Sequence, residues 1–488
     1  MATSALKAQE FWFFVVCLLL GGLAELSFFH APVGVSYLLF ITGFYLVFFV
    51  RYRSFTFRQR RMGLLMMVVI LILASNYFFY DVLVFNLLNA VAIPVLVLAH
   101  LVLITKPSYI RWDRPFFLIR MIVTVFGSFV YNTGFMKRLY NRMFKQVDNK
   151  NSDVVKKVML GLLIGLPLLS VIVGLLMQAD EAFGNLLSVF PHWLNGLEMN
   201  EAMARTILAL VIGFLFFGVL QILPREETKT LPEWKKGEKY DGIVSLTVLI
   251  LLNVVYALFT AVQFSYFFGG ELYGGMSYSE YARRGFFELV IVSLVNLTVL
   301  VIMLSINRPE GRKVDRTLRG MYSLLIVFSG ILLVSAFQRL MLYEAEYGYT
   351  MARVLPHVFM VFLLVIFIYT GIRVWIDHLS LLHFYLLTAL VFYAGLNAVN
   401  VEAWIVDRNL DRFEETGKLD VRYLSSLGYT GIDGLLDVYE QHPDMDSLQS
   451  ILIEDRKNYT VTDEWEDSWQ SFNITKYEVT KRLENWHP

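Results

Sequence analysis

Apolar runs of spanning length recur along this chain, near 11–28, 33–50, 62–80, 82–105, 158–178, 202–224, 242–268, 286–306, 320–342, 355–373 and 379–400, and nothing else constrains its fold as strongly. A helix needs roughly 20 apolar residues to cross a hydrocarbon layer of about 30 Å. Lipid offers no hydrogen bonds, so a crossing segment must satisfy its own backbone. Continuous rather than alternating apolarity selects helices over barrel strands. The expected class is therefore all-α, a polytopic transmembrane bundle of about eleven spans. Composition agrees, because a soluble chain with 57% hydrophobic and 17% charged residues would be coated in apolar surface.

Charge in the loops sets an orientation. The loop RYRSFTFRQRR carries Arg51, Arg53, Arg58, Arg60 and Arg61 without an acid, and Lys106 to Lys157 holds eleven basic residues against three acidic ones. Arg308 to Arg319 has five against two. These belong on the cytoplasmic side by the positive-inside rule. The loop with Asp180, Glu181, Glu198 and Glu201 falls on the other side, as does the tail after residue 400, where nineteen acids face nine bases. Residues 11–28 lack a following A-x-A site and read as an uncleaved signal anchor. The N-terminus is expected inside and the C-terminus outside. Residues 116–135 could also span, which would move the C-terminal region to the cytoplasm, but both flanks are basic and Arg120, Thr124, Ser128 and Tyr131 or Asn132 recur with helical period, so an amphipathic helix on the inner surface is expected. The segment 181–199 reads as an outer-surface piece or a plain loop.

The expected organisation is a four-span group over 1–105, a basic cytoplasmic segment over 106–157, a seven-span group over 158–400 and a small extracytoplasmic α-helical domain over 401–488. In the last, Gly417 separates helical spacing around Leu410 from Val421, Leu424 and Leu427, followed by Leu435, Leu436 and Val438. Further helices are expected over 447–457 and 474–485. Asp444 and Asp446 resemble the start of a calcium loop, but Gln449 stands where glycine is needed. Asn458 and Asn473 match the glycosylation pattern.

Polar groups at span ends carry whatever chemistry there is. Ser277 and Glu280 have capping-box spacing, and Glu280, Arg284 and Glu288 form one stripe of a helix running to Ile306. Arg339, Tyr343 and Tyr347 share a face, with Glu344 and Arg353 flanking a helix stop at Gly348. A polar pocket in the outer leaflet is expected from Arg283, Arg284, Glu288, Arg339, Glu344, Tyr347 and Arg353; the alternative is a set of structural ion pairs. His100, Asp377, His378 and His383 match no ligand spacing and read as interface anchors, while Asn89, Asn253 and Asn296 read as amides joining helices. The single Cys17 has no intrachain partner. No metal site, cofactor site, catalytic motif or nucleic-acid-binding groove is legible. Three functions remain: a sensor or accessory regulator, favoured because outer pocket, outer domain and inner surface are all present; a transporter of a neutral or lipid-like solute; and a membrane enzyme acting on an outer-leaflet substrate, for which the sequence offers no identifiable nucleophile. Membrane lipids and an unidentified protein are the expected partners.

YARRGFFEL (281–289), YEAEYGYTMAR (343–353), ADEAF (179–183) and DRNLDRFEETGKLDVRYLSSL (407–427) resemble the polytopic bacterial membrane proteins known as domain of unknown function 4173, close to 4153. Tyr349 stands where that family's YGLT-like pattern has leucine. The resemblance covers roughly Ala179 to Leu427, and implies many spans in a bacterial cytoplasmic membrane and no particular reaction.

Overall fold

The computed structural model describes residues 8–107, 110–143, 201–224, 242–269, 286–306, 311–460 and 468–487. The expected span 158–178, the segment 181–199, the capping box at Ser277 and the pair Arg283 and Arg284 lie outside them. Every regular element among the described residues is helical. The long helices are α1 (Ala8–Phe28), α2 (Val35–Arg51), α3 (Arg60–Phe79), α4 (Leu83–Thr105), α5 (Pro115–Met143), α6 (Glu201–Ile222), α7 (Gly242–Gly269), α8 (Phe286–Ile306), α9 (Arg312–Tyr347), α10 (Met351–Trp375) and α11 (Leu381–Ala398). The tail contributes α12 (Val401–Thr416), α13 (Val421–Ser425), α14 (Tyr429–Gln441), α15 (Asp446–Thr460) and α16 (Ile474–Asn485). Ten described helices are long and apolar enough to cross a membrane, and α2, at 17 residues, is a shorter apolar helix. The all-α polytopic class thus holds.

The chain divides into two units, the first made of Met1–Phe79, Leu87–Glu227 and Thr462–Ile474, the second of the remainder. In the first unit α1 packs along α6 through small residues. A Cβ on Gly21 would stand 2.0 Å from the carbonyl oxygen of Ala209, and one on Gly213 would stand 2.6 Å from that of Cys17. Only glycine permits backbones that close. Helix α5 turns its polar stripe inward, with Arg120, Thr124, Ser128 and Asn132 buried and Leu118, Ile122, Phe126 and Val130 exposed. Asn132 Nδ2 donates to Phe214 O on α6 (2.8 Å), and Arg138 pairs with Glu10 on α1 (2.6 Å). The amphipathic period expected for 116–135 is present. Its apolar side is the one left for lipid, and α5 is itself among the ten helices of spanning length.

In the second unit α9 lies between α7, α8 and α10 over a core that includes Leu325, Leu332, Ala336, Leu340 and Phe367. At 36 residues α9 is about 54 Å long, well beyond a hydrocarbon layer of about 30 Å. The amides act as interhelical glue: Tyr256 Oη donates to Asn296 Oδ1 (2.7 Å), Asn296 Nδ2 to Ser329 Oγ (3.0 Å) and Asn253 Nδ2 to Met321 O (3.1 Å). The tail helices share a second core of Val401, Ile405, Leu424, Leu435, Leu448, Leu452 and Leu483, to which Val82 and Phe85 of the α3–α4 hairpin and Val354 of α10 also contribute. Gly417 takes positive φ and breaks the helix where the sequence places a stop, and Gly428, also at positive φ, precedes α14. Asn473 is buried, its Nδ2 donating to Tyr77 O (2.9 Å), which leaves that amide closed to glycosylation in the folded chain.

Gly21→Ala should lower the unfolding temperature in detergent, by an amount corresponding to about 1–3 kcal/mol of overpacking. Gly22→Ala, whose Cβ meets nothing within 4 Å, should leave it unchanged or slightly raised.

Candidate functional site

Helix α9 stops at Gly348, whose φ of 81° and ψ of 177° suit glycine alone, and whose N–H donates back to Glu344 O (2.7 Å). The chain then runs extended through Thr350 into α10. A helix end leaves carbonyls without partners, and here side chains supply them. Arg353, in the first turn of α10, donates Nη1 to Tyr347 O (3.1 Å) and to Gly348 O, and its guanidinium lies 4.3 Å from the centre of the Tyr343 ring. From α12, Arg412 donates Nε to Ala345 O (3.1 Å) and Nη2 to Glu346 O (2.6 Å).

Asn409 reads the turn itself. Its Oδ1 accepts the Tyr349 N–H (3.0 Å) and its Nδ2 donates to Tyr349 O (2.8 Å) and to Ile405 O (2.8 Å), so one side-chain amide takes both backbone bonds of one residue as a neighbouring strand would. Tyr423 of α13 completes the set, its hydroxyl accepting the Met351 N–H (2.9 Å). Helix α12 is aimed at the turn by its own caps: Asn400 Oδ1 accepts the Ala403 N–H (3.0 Å), and Gly417 closes the other end in the left-handed region. Trp404 packs edge-on against Tyr349, ring centres 5.5 Å apart.

Of the expected pocket residues, the structure gathers Glu344, Tyr347 and Arg353 at this turn. Glu344 is 4% exposed and pairs with His357 Nδ1 (3.0 Å) on α10 rather than with an arginine. Arg339 is buried on α9 five residues before Glu344, flanked by the core residues Ala336 and Leu340. Glu288 is exposed in the first turn of α8, and among the described residues no ion pair joins it to the others. His357, Asn409, Arg412 and Tyr423 were not singled out by sequence reasoning. Asn409 carried a readable signal, a polar residue one turn beyond Ile405 on the apolar stripe of an amphipathic helix. The other end of α9 carries a cleft of about 460 Å³ lined by Asp315, Arg319, Tyr322, Arg373 and Asp377 among others. It is crossed by ion pairs from Arg319 to Asp315 (2.9 Å) and to Asp377 (2.8 Å), and from Arg373 to Asp377 (3.3 Å). His100 lies in the first unit, bonded through Nδ1 to Tyr45 Oη (2.8 Å). Among the described residues no group of three or more His, Cys, Asp or Glu side chains is placed to hold a metal.

The two segments joined at the turn, 343–353 and 407–427, are two of the four that carry the family resemblance, and a family model named domain of unknown function, DUF4153, matches residues 66–438. The chain belongs to the DUF4153 family. The match is to the second of the two related families that the sequence resembles, and it reaches from within α3 into α14. No curated protein and no solved structure matches this DUF4153 chain.

Asn409→Ala should cost about 1–3 kcal/mol, because it orphans both polar groups of the part-buried Tyr349 backbone. Asp411→Ala, on the exposed side of α12, should cost little. Gly348→Ala should be at least as damaging as Asn409→Ala, since its Cβ would lie 2.5 Å from Asn409 Oδ1 on a backbone with positive φ. Thermal unfolding of the purified chain checks all three.

Proposed function

We propose that this membrane protein is a sensor or accessory regulator, in which the tail domain α12–α16 and the adjoining ends of α9 and α10 form one receiving unit. The supporting observation is the side-chain clamp on the α9–α10 turn: α12 cannot move without breaking hydrogen bonds to the end of α9 and to Tyr349 in the turn that leads into α10. The ligand class is an anionic lipid headgroup in the outer leaflet, favoured by the arginines at this end, Arg283 and Arg284 by sequence and Arg353 and Arg412 at the turn. An unidentified protein partner would read the response.

The location proposed is a bacterial cytoplasmic membrane, N-terminus inside and tail outside. In the second unit the tail adjoins the C-terminal end of α9, whereas Arg312, Lys313, Arg316 and Arg319 crowd its N-terminal end, the end the positive-inside rule assigns to the cytoplasm. Transport of a neutral or lipid-like solute is less well supported, because the mid-span amides of α7 and α8 are engaged in interhelical bonds and line no path. Catalysis would need a nucleophile or general base facing an open site. Glu344 instead is buried against His357.

A fluorophore on Ser450→Cys, an exposed position on α15, in a Cys17→Ser background, tests the reading in vesicles. Its emission should differ between phosphatidylcholine vesicles with and without phosphatidylglycerol, and Asn409→Ala should abolish the difference. An identical emission in both vesicles, or a shift indifferent to Asn409→Ala, would contradict the regulator reading. Protein-dependent efflux of a trapped uncharged solute would favour transport in its place.

A further inference from the structure

The clamp leaves one buried acid unused. Glu402 stands in the first turn of α12, 6% exposed, and its Oε2 makes no hydrogen bond. A carboxylate taken out of water without a donor or cation beside it is costly, and such a group keeps its proton instead. The surroundings of Glu402 and its neighbour Asp81 come from four elements. The α3–α4 hairpin supplies Asp81, and that hairpin is held to the start of α12 by Val82 and Phe85, which share a core with Val401 and Ile405, and by Tyr80 Oη donating to Ala398 O (3.4 Å). Helix α13 supplies Tyr423, α15 supplies Tyr459 and α16 supplies Lys476. Lys476 acts on Asp81, while Arg353 and Asp420 act on Tyr423. Among the described residues no basic group offsets Glu402 itself.

Burial first, and the negative charge of Asp81 second, push the Glu402 carboxyl from 4.5 up to about 8. Asp81 is drawn upward as well by the protein around it, with Lys476 and the Asn86 amide (3.1 Å) opposing, but its side chain stays exposed. The negative charge on Asp81 is what acts on Glu402, so Asp81 is the ionised member of the pair and the deeply buried Glu402 the protonated one.

We propose that Glu402 is a proton-operated latch on the tail domain: protonated, it lets α12 sit against α10 and residues 80–86 of the α3–α4 connection, and ionised, it places a second charge beside Asp81 that loosens this seat. The latch deepens the regulator reading and rests on it for its purpose. The sign follows from linkage. Between about 4.5 and about 8 the seated form binds more protons than the opened form, so seating is strongest in acid and weakens as pH rises through that window. The opening equilibrium changes by up to about tenfold per pH unit there, and no further above about 8.

The test is limited proteolysis of residues 401–427 in the full-length, detergent-solubilised chain from pH 5 to 9, comparing wild type with Glu402→Gln. Dividing the two cleavage rates at each pH cancels the protease's own pH dependence. The ratio of wild type to Glu402→Gln should rise by up to about tenfold per unit from pH 5 to about 8 and then level off. A ratio that is constant with pH, or cleavage of Glu402→Gln that exceeds wild type throughout, would overturn the latch. Asp81→Asn gives a second reading that does not need Glu402→Gln to fold: the window should move to lower pH, and an unmoved window would overturn the pairing of the two acids. No lipid ligand enters this assay, so a failed response to phosphatidylglycerol and a failed latch are separate results.

Discussion

The carbonyls at the end of an unusually long helix need partners, and the second unit of this protein is arranged around supplying them. Helix α9 runs past the length a bilayer requires and ends on a glycine. Its final carbonyls are met by guanidinium groups from two other helices, Arg353 of α10 and Arg412 of α12. A helix end left dry without donors would forfeit roughly 1–3 kcal/mol per buried group. The tail domain therefore acts as the cap of a spanning helix, and the reach of Arg412 and Asn409 fixes where α12 must lie.

The same economy of polar groups recurs at other depths. The amides and hydroxyls of α7, α8 and α9 are spent on one another, Tyr256 to Asn296 to Ser329, in a region where lipid can offer no substitute. In the first unit Asn132 on α5 reaches the Phe214 carbonyl on α6, and α1 meets α6 with glycine against backbone. Against this background Glu402 stands out. It is a buried acid in the tail domain whose Oε2 has no donor, so its charge state rather than its contacts decides how well it fits.

Much of the architecture was legible because it follows from solvent. Apolar runs of spanning length among the described residues became helices, and Gly348 and Gly417 became stops since the chain takes positive φ at each. The tail helices also follow the apolar spacing of Val421, Leu424, Leu435 and Leu436, all buried. The site was legible only in part. Glu344, Tyr347 and Arg353 stand at the turn, but the partners of the turn come from segments sixty or more residues away, and nothing in local periodicity pairs Asn409 with Tyr349 or Tyr423 with Met351. A charge-based search favours arginine for Glu344, and the structure supplies His357, thirteen residues on, through a helix reversal that spacing rules do not encode. Asn409 is the exception. A lone amide on the apolar stripe of α12 signals a buried polar contact, although not which one.

The central claim is that tail side chains, rather than local turn geometry, hold the α9–α10 turn. Hydrogen exchange resolved at the amides of Tyr349 and Met351 tests it most directly. Both should exchange slowly in the intact protein, with Asn409→Ala releasing Tyr349 and Tyr423→Phe releasing Met351, each leaving the other's protection largely in place. Fast exchange of both amides in the unmodified chain, or protection that survives both substitutions, would contradict the account.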